Sequence, residues 1–161
     1  MIIVRPRHLA PIACLLLLAG CSFGSTSSFV VSNASVDQGF TCPVSAKNLQ
    51  YDLHGTINAH NATSQTVKIT AVTAVMTLAA VNGPWLQKLG DKFDAGDVTY
   101  TPTSVAAGSS ATLSVTISSA CTGRAAKSPP AWADYLVTFA MTTSTGSFKL
   151  DSQNKHRIAT A

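Results

Sequence analysis

Strict alternation of apolar and polar residues is the feature of this chain that most constrains its fold. Successive side chains of a β-strand point to opposite faces, so a period of two predicts a strand with one buried face. Two segments show this period over their whole length. Their alternating apolar residues are Tyr51, Leu53, Gly55, Ile57 and Ala59 in the first, and Tyr135, Val137, Phe139 and Met141 in the second.

Shorter or less regular strand patterns recur along the chain, separated by turn residues. With the two above, the predicted strands cover residues 29–36, 51–60, 67–81, 98–100, 111–118, 135–141, 147–150 and 155–158, the last of them pairing at an edge. The segment 67–81 is apolar on both faces. It predicts either one central strand with a bulge or two strands that bend between sheets.

The segment between residues 82 and 97 interrupts this pattern. Asn82-Gly83-Pro84 ends the preceding strand, and the next five residues predict one helical turn that packs Trp85 and Leu89 over an edge of the core. Residues 91–97 are predicted to form a loop.

Composition supports an all-β fold. Ser, Thr, Ala and Val dominate, all seven acidic residues are Asp, and no segment predicts a long helix. Seven or eight short strands with turn signals predict a single antiparallel β-sandwich, which in layout resembles the immunoglobulin-like class. A closed barrel or a jelly roll is the alternative.

The N-terminal segment has the pattern of an export signal. Arg5 and Arg7 precede an apolar stretch, residues 9–18, which ends in small residues. A membrane-spanning helix needs about 20 apolar residues, so this stretch is too short to remain as a transmembrane segment.

Residues Leu18-Ala19-Gly20-Cys21 resemble the lipobox of bacterial lipoproteins at all four positions. The resemblance implies a diacylglycerol group on Cys21 and cleavage before it. It also implies attachment to the outer membrane if the host has two, because Ser22 rather than Asp follows the cysteine. An ordinary signal peptide with a cysteine near its cleavage site is the alternative.

These features predict three regions. Residues 1–20 are the signal peptide, residues 21–28 are the lipidated cysteine and a Ser-rich flexible tether, and residues 29–161 are the β-sandwich. The expected location is the bacterial cell envelope, with the domain held outside the cytoplasm by lipid.

Cleavage at Cys21 also changes the charge and the cysteine count. Without Arg5 and Arg7, nine Lys or Arg face seven Asp, a net charge of +2, and no basic run remains that predicts nucleic-acid binding. Cys42 and Cys121 are left as the cysteines of the exported domain. An even pair in such a domain predicts one disulfide, with a redox or metal pair as the alternative.

Histidine and aspartate offer two metal hypotheses, and neither is favoured. His54 and His60 share the polar face of one strand, but six residues place them roughly 20 Å apart, so we expect solvated surface histidines. Asp91, Asp94 and Asp97 are spaced by three, whereas calcium loops alternate their ligands and add a Glu. No metal ion and no cofactor is predicted.

Catalytic motifs are equally weak. Ser109 and Ser110 follow Gly108 without the Gly-x-Ser-x-Gly pattern, and nothing selects His54, His60 or His156 as their base.

Aromatic and cationic residues in two irregular loops are the better candidates for recognition. Trp85, Lys88 and Lys92 mark the first loop, and Arg124, Lys127 and Trp132 mark the second. The alternative is that the two tryptophans cap the open ends of the core.

The sequence therefore supports two hypotheses of function. The first is a non-catalytic, lipid-anchored envelope protein that binds a protein or glycan or has a structural role. The second is a small anchored hydrolase or metal-dependent enzyme.

Overall fold

The computed structural model describes residues 28–43, 46, 48–121 and 130–161. These residues form eleven β-strands: β1 (Phe29–Val36), β2 (Gly39–Cys42), β3 (Leu49–Asn61), β4 (Val67–Asn82), β5 (Lys92–Asp97), β6 (Thr99–Thr101), β7 (Ser104–Val105), β8 (Ser110–Cys121), β9 (Trp132–Thr143), β10 (Gly146–Asp151) and β11 (His156–Thr160). Within the described ranges, no helix has the length and apolar character needed to cross a bilayer.

The strands form two sheets whose order defines the fold. The first sheet has the order β1-β3-β8-β6, and the second has the order β2-β11-β9-β4-β5, with β10 beside β9 and β7 beside β4. This is the order of an immunoglobulin sandwich. In the first sheet, β1, β3, β8 and β6 correspond to strands A, B, E and D. In the second sheet, β5, β4 and β9 correspond to strands C′, C and F, and β10 and β11 together correspond to strand G. The predicted all-β, immunoglobulin-like sandwich is confirmed.

The core lies between the inner faces of the two sheets. The alternating residues of β3 and β9 are buried as predicted, and Leu53, Ile57, Val137 and Phe139 have no exposed surface. Full burial of such a side chain contributes about 1.5–3 kcal/mol to the free energy of unfolding. The long strands therefore form because each places one continuous apolar face against the opposite sheet.

The predicted count of seven or eight strands is too low. The strands missed are short: β2 has four residues, β7 has two, and β5 occupies the segment 92–97 that was predicted as a loop. Each is held by backbone pairing to a longer neighbour, such as β5 to residues 73–77 of β4. Because backbone pairing needs no apolar period, the sequence pattern does not reveal such strands.

The long apolar segment is a single strand, β4, which pairs with β9 along its length. Its register with β9 shifts between Ile69 and Ala71 and again between Leu78 and Ala80. The alternative of one central strand with a bulge is confirmed, and a second bulge accompanies it.

The chain crosses from the first sheet to the second between β1 and β2. A bulge between Ser32 and Ser35 changes the register of β1 against β3. The Asn154 side chain then binds both backbone groups of Val36: Oδ1 accepts from its N–H (3.0 Å) and Nδ2 donates to its carbonyl (2.6 Å). The chain continues into β2, which runs parallel to β11.

This crossing corrects the expectation for the last strand. β11 was predicted to pair at an edge, but it lies between β9 and β2. The reason is that the chain from Val36 onward covers its outer side. His156, at the start of β11, is consequently only 1% exposed.

The two ends of the sandwich carry different segments. Phe29 pairs with Asn61 at one end, where the β3–β4 turn joins the sheets; we call this the Phe29 end. Asn82 pairs with Trp132 at the other, where the loop of residues 83–91 follows β4; we call this the Trp85 end. The 13 residues of β3 separate the two ends by about 40 Å.

A disulfide between Cys42 and Cys121 joins the sheets at the Trp85 end, with Cα atoms 5.8 Å apart. It links the last residue of β2 to the last residue of β8. The predicted disulfide is confirmed.

Candidate functional site

Three side chains that form a triangle of hydrogen bonds hold the loop of residues 83–91 against the core. The Trp85 indole N–H donates to Gln87 Oε1 (3.0 Å) and to the Tyr135 hydroxyl oxygen (3.1 Å). The Tyr135 hydroxyl donates in turn to Gln87 Oε1 (2.6 Å). Burial raises the pKa of Tyr135, and the hydrogen bond with Trp85 opposes this rise. Tyr135 therefore stays protonated at neutral pH and keeps the triangle closed.

The tip of the loop is a closed turn bound to β4. Asp91 Oδ2 accepts from the Lys88 backbone N–H (2.8 Å), and the Asp91 N–H donates to the Lys88 carbonyl (3.0 Å). Leu78 of β4 then donates to the Asp91 carbonyl and accepts from the Gly90 N–H, both at 2.9 Å. Gly90 has φ of +89°, which glycine adopts without strain.

This geometry corrects the expected helical turn. Trp85 is half-buried and packs against the core, so it caps this end of the sandwich as the alternative interpretation held. Leu89 does not pack: its side chain is 65% exposed, and that of Leu86 is 63% exposed. The triangle around Trp85 and the closed turn hold the loop in place of helical hydrogen bonds.

The cations of the two predicted recognition loops are only partly described. Lys88 and Lys92 are exposed, and Lys92 is the first residue of β5 rather than part of a loop. Arg124 and Lys127 lie outside the described residues, as do Cys21 and the rest of the predicted signal and tether up to residue 27.

Trp132 lies on a strand, where the sequence placed it with a loop. It is the first residue of β9, and the Arg157 guanidinium stacks over its ring at 4.0 Å. Arg157 also donates to both oxygens of Asp134 (2.7 and 3.0 Å), and these hydrogen bonds lower the pKa of that carboxyl. Trp132 and Arg157 thus form part of the outer face of the second sheet.

His54 and His60 are exposed on β3, as expected. His54 Nδ1 lies 3.4 Å from Asp37 Oδ2, and His60 Nδ1 lies 2.9 Å from the Ser110 hydroxyl. Within the described ranges, no group of three or more His, Cys, Asp or Glu residues is arranged to hold a metal ion.

The aspartates between residues 91 and 97 serve local structure where their side chains are described. The Asp91 carboxylate binds the Lys88 backbone, and Asp94 Oδ1 accepts from the Gly96 N–H (2.8 Å). Both carboxylates thus stabilise turns of the backbone rather than converging on one point.

His156 takes part in a buried hydrogen-bond chain that the sequence did not reveal. Its Nδ1 lies 3.0 Å from the Asp37 carbonyl, and its Nε2 lies 3.0 Å from the Tyr51 hydroxyl. A carbonyl only accepts, so Nδ1 carries the proton and Nε2 accepts from Tyr51. Burial lowers the pKa of His156 and raises that of Tyr51, so both groups are neutral at pH 7.

One groove brings candidate catalytic residues together. Its volume is about 320 Å³, it is open to solvent, and it is lined by Ser32, Asn58, Ala59, His60, Ser110, Ala111 and Thr112. The structure thus selects His60 as the neighbour of Ser110, which the sequence did not do. Among the described contacts, no carboxylate binds the other nitrogen of His60, so the third member of a triad is missing. Ser109 lies outside the groove lining.

No protein-family model matches the chain, and no curated protein does either. Three solved structures resemble it at low identity. The ASH / PapD-like domain of human CEP192 (PapD-like domain 7) is 11% identical with a TM-score of 0.36, over 98% of this chain and 94% of that one.

The other two come from Escherichia coli. AggA, the major subunit of aggregative adherence fimbriae type I, is 9% identical with a TM-score of 0.35, over 84% of this chain and 97% of that one. The CooA pilin subunit from the enterotoxigenic form is 14% identical with a TM-score of 0.28, over 81% and 98%. Likenesses at these TM-scores carry no argument about function.

Proposed function

We propose that the chain is a lipid-anchored protein of the bacterial cell envelope whose β-sandwich is a non-catalytic binding module. The observation that carries this proposal is that the two ends of the domain differ. The chain enters the sandwich at the Phe29 end, and the most exposed apolar loop lies at the opposite end.

Export is supported by the Cys42–Cys121 disulfide. Disulfides form and persist in oxidising compartments outside the cytoplasm and are rare within it. The apolar segment 9–18 and its small-residue ending agree with this location.

Lipid attachment is supported by the match of residues 18–21 to the lipobox. Acyl chains contribute about 0.8 kcal/mol per buried methylene, and two chains give a stable anchor. The tether of residues 22–28 then leads directly into β1, so the Phe29 end faces the membrane. The Trp85 end lies at the opposite end of the domain, separated from the Phe29 end by about 40 Å along β3.

The test of anchoring is the mass of the N-terminal peptide of the protein purified from membranes. We expect residues 1–20 to be absent and Cys21 to carry a diacylglycerol. The variant Cys21→Ser is expected to lose the lipid and leave the membrane fraction. An unmodified Cys21 in a released wild-type protein would refute the anchor.

An anchored hydrolase is a second candidate because of the Ser110–His60 hydrogen bond alone. Its test is labelling by a fluorophosphonate, which reacts with activated serines. Labelling that is lost in Ser110→Ala and in His60→Gln would support an enzyme, whereas an unlabelled protein would exclude an activated Ser110.

A further inference from the structure

The chain contains one Asn-Gly bond, between Asn82 and Gly83, and this bond lies where β4 ends. Both residues are exposed, and so is Pro84, which follows them. The Gly83 nitrogen is only a few bonds away from the carboxamide carbon of Asn82, so attack of one on the other is intramolecular and has a low entropic cost. Glycine has no side chain to hinder this approach. The bond therefore contains both the nucleophile and the electrophile of a ring closure.

The backbone around this bond is weakly held. The Asn82–Trp132 pair is the last of the β4–β9 ladder, and the end of a ladder opens at a lower free-energy cost than the pairs within it. Within the described part of the chain, the Gly83 N–H donates to no backbone carbonyl. Asn82 can therefore leave its extended conformation and turn its carboxamide toward Gly83 while the rest of β4 stays paired.

The other asparagines of the chain are less suited to this reaction. Four of them have side chains held by hydrogen bonds: Asn33, Asn58, Asn61 and Asn154. Asn48 is exposed, but Leu49 follows it, and the leucine side chain hinders attack by its own backbone nitrogen. Asn82 combines exposure with a following glycine, and its side chain makes no hydrogen bond with a described residue.

We propose that Asn82 is a site of spontaneous modification in the folded protein, through a cyclic imide formed with Gly83. The Gly83 nitrogen attacks Cγ of Asn82, and the new C–N bond closes the ring. The bond from Cγ to the side-chain nitrogen breaks, and this nitrogen leaves as ammonia with the proton of the Gly83 N–H. Water then adds to either carbonyl of the imide and opens the ring, which gives an aspartyl or an isoaspartyl residue at position 82.

The products change the Trp85 end of the domain in two ways. Both place a carboxylate opposite Trp132, the residue over which the Arg157 guanidinium stacks. The isoaspartyl product also adds one methylene to the backbone just before Gly83, where an added Cβ would lie 3.0 Å from the Ala131 Cβ. Because this contact leaves little space, the longer backbone has to displace Ala131 or the loop of residues 83–91. The inference depends neither on the lipid anchor nor on the proposed binding role.

Peptide mapping of the purified full-length chain tests this site. The protein is incubated at pH 8, and mass spectrometry locates deamidation and distinguishes aspartyl from isoaspartyl products. We expect modification at position 82 before any other asparagine, with both products present. The rate should rise with pH, because the Gly83 nitrogen has to lose its proton in order to attack.

Two variants and an unfolded reference sharpen the test. Asn82→Gln should abolish the modification, because its longer side chain closes a ring much more slowly, whereas Asn48→Gln should leave the rate at position 82 unchanged. Both variants should melt at the wild-type temperature, since both side chains are exposed. The chain unfolded in guanidinium chloride should react about tenfold faster than the folded protein, because the end of β4 no longer has to open.

Three results would each overturn the proposal. A folded protein that stays unmodified while the unfolded chain reacts would show that β4 does not open at Asn82. Earlier modification at Asn48 would show that exposure, rather than the following glycine, selects the site. A product with aspartate alone would exclude the cyclic imide, since direct hydrolysis of the carboxamide gives no isoaspartyl bond.

Discussion

The hydroxyl of Tyr51 on β3 lies 3.0 Å from Nε2 of His156 on β11, and this hydrogen bond joins the two sheets inside the core. The Phe40 ring of β2 stacks on Tyr51 with centroids 4.1 Å apart, and the other imidazole nitrogen binds the Asp37 carbonyl. The His156 side chain thus links β3, β11 and the segment that leads into β2. Its protonation state matters for all three.

The free energy of unfolding should decrease as the pH is lowered, because His156 then takes up a proton. Burial lowers its pKa in the folded state below the value near 6.5 of the unfolded chain. Its contribution is therefore fully present above pH 6.5 and is lost as the pH falls from there towards the folded-state pKa. Urea unfolding between pH 8 and pH 4 measures this loss.

The control for this titration is a matched pair of variants. His156→Gln should flatten the pH dependence between pH 6.5 and 4, whereas His60→Gln should leave it as in the wild type because His60 is exposed. If the two variants changed the pH dependence of stability equally, its attribution to His156 would be wrong.

Tyr51→Phe should lower the free energy of unfolding by about 1–3 kcal/mol, because it leaves Nε2 of His156 buried without a donor. Tyr100→Phe is the control, since its hydroxyl makes only a 3.3 Å contact with the Ile69 carbonyl in a half-buried position. We expect a smaller loss there. Urea denaturation at pH 8 compares the two, and equal losses would refute a special role for the Tyr51–His156 bond.

Reduction of the disulfide should cost about 4–5 kcal/mol in the chain-entropy account, since Cys42 and Cys121 are 79 residues apart. The paired variant Cys42→Ser/Cys121→Ser should unfold at the same urea concentration as the reduced wild type. If the oxidised and reduced proteins were equally stable, the crosslink would not constrain the unfolded chain.

Asn61→Ala should destabilise the Phe29 end by about 3 kcal/mol, because three backbone groups, among them the buried Val105 carbonyl, lose a hydrogen bond at once. The Asn61 side chain is fully buried, donates to the carbonyls of Gln65 and Val105, and accepts from the Thr63 N–H. Asn58→Ala, on the outer face of the same strand, should change stability by less than about 1 kcal/mol. Thermal melts of both variants compare these two losses of stability.

The long strands could be predicted because burial imposes its period on the sequence. Leu113, Val115 and Ile117 alternate with polar residues in β8, and all three are buried against the opposite sheet. The disulfide followed from cysteine number and compartment, without knowledge of the strand order that brings Cys42 to Cys121.

The remaining features depend on neighbours that a linear pattern does not contain. A buried histidine at the start of a strand has the same local sequence as an exposed one, and His156 is buried because Tyr51 of β3 and the backbone at Asp37 lie against its ring. Lys92 begins a strand because β4 offers an unpaired edge at Thr77. Leu89 is exposed because Asp91 and Gly90 bind β4 instead.

The pairing of β1 with β3 also determines how the domain would bear mechanical force. A pull applied at Phe29 and resisted at the loop of residues 83–91 acts along the axis of β1. The interstrand hydrogen bonds of an antiparallel pair lie perpendicular to the strands, so this pull loads the pairs from Phe29–Asn61 to Val36–Gly55 in shear, all at once. The two hydrogen bonds between the Asn154 side chain and the Val36 backbone add resistance at the far end of that strand. The domain can therefore transmit tension from one end to the other without β1 separating from β3 one hydrogen bond at a time.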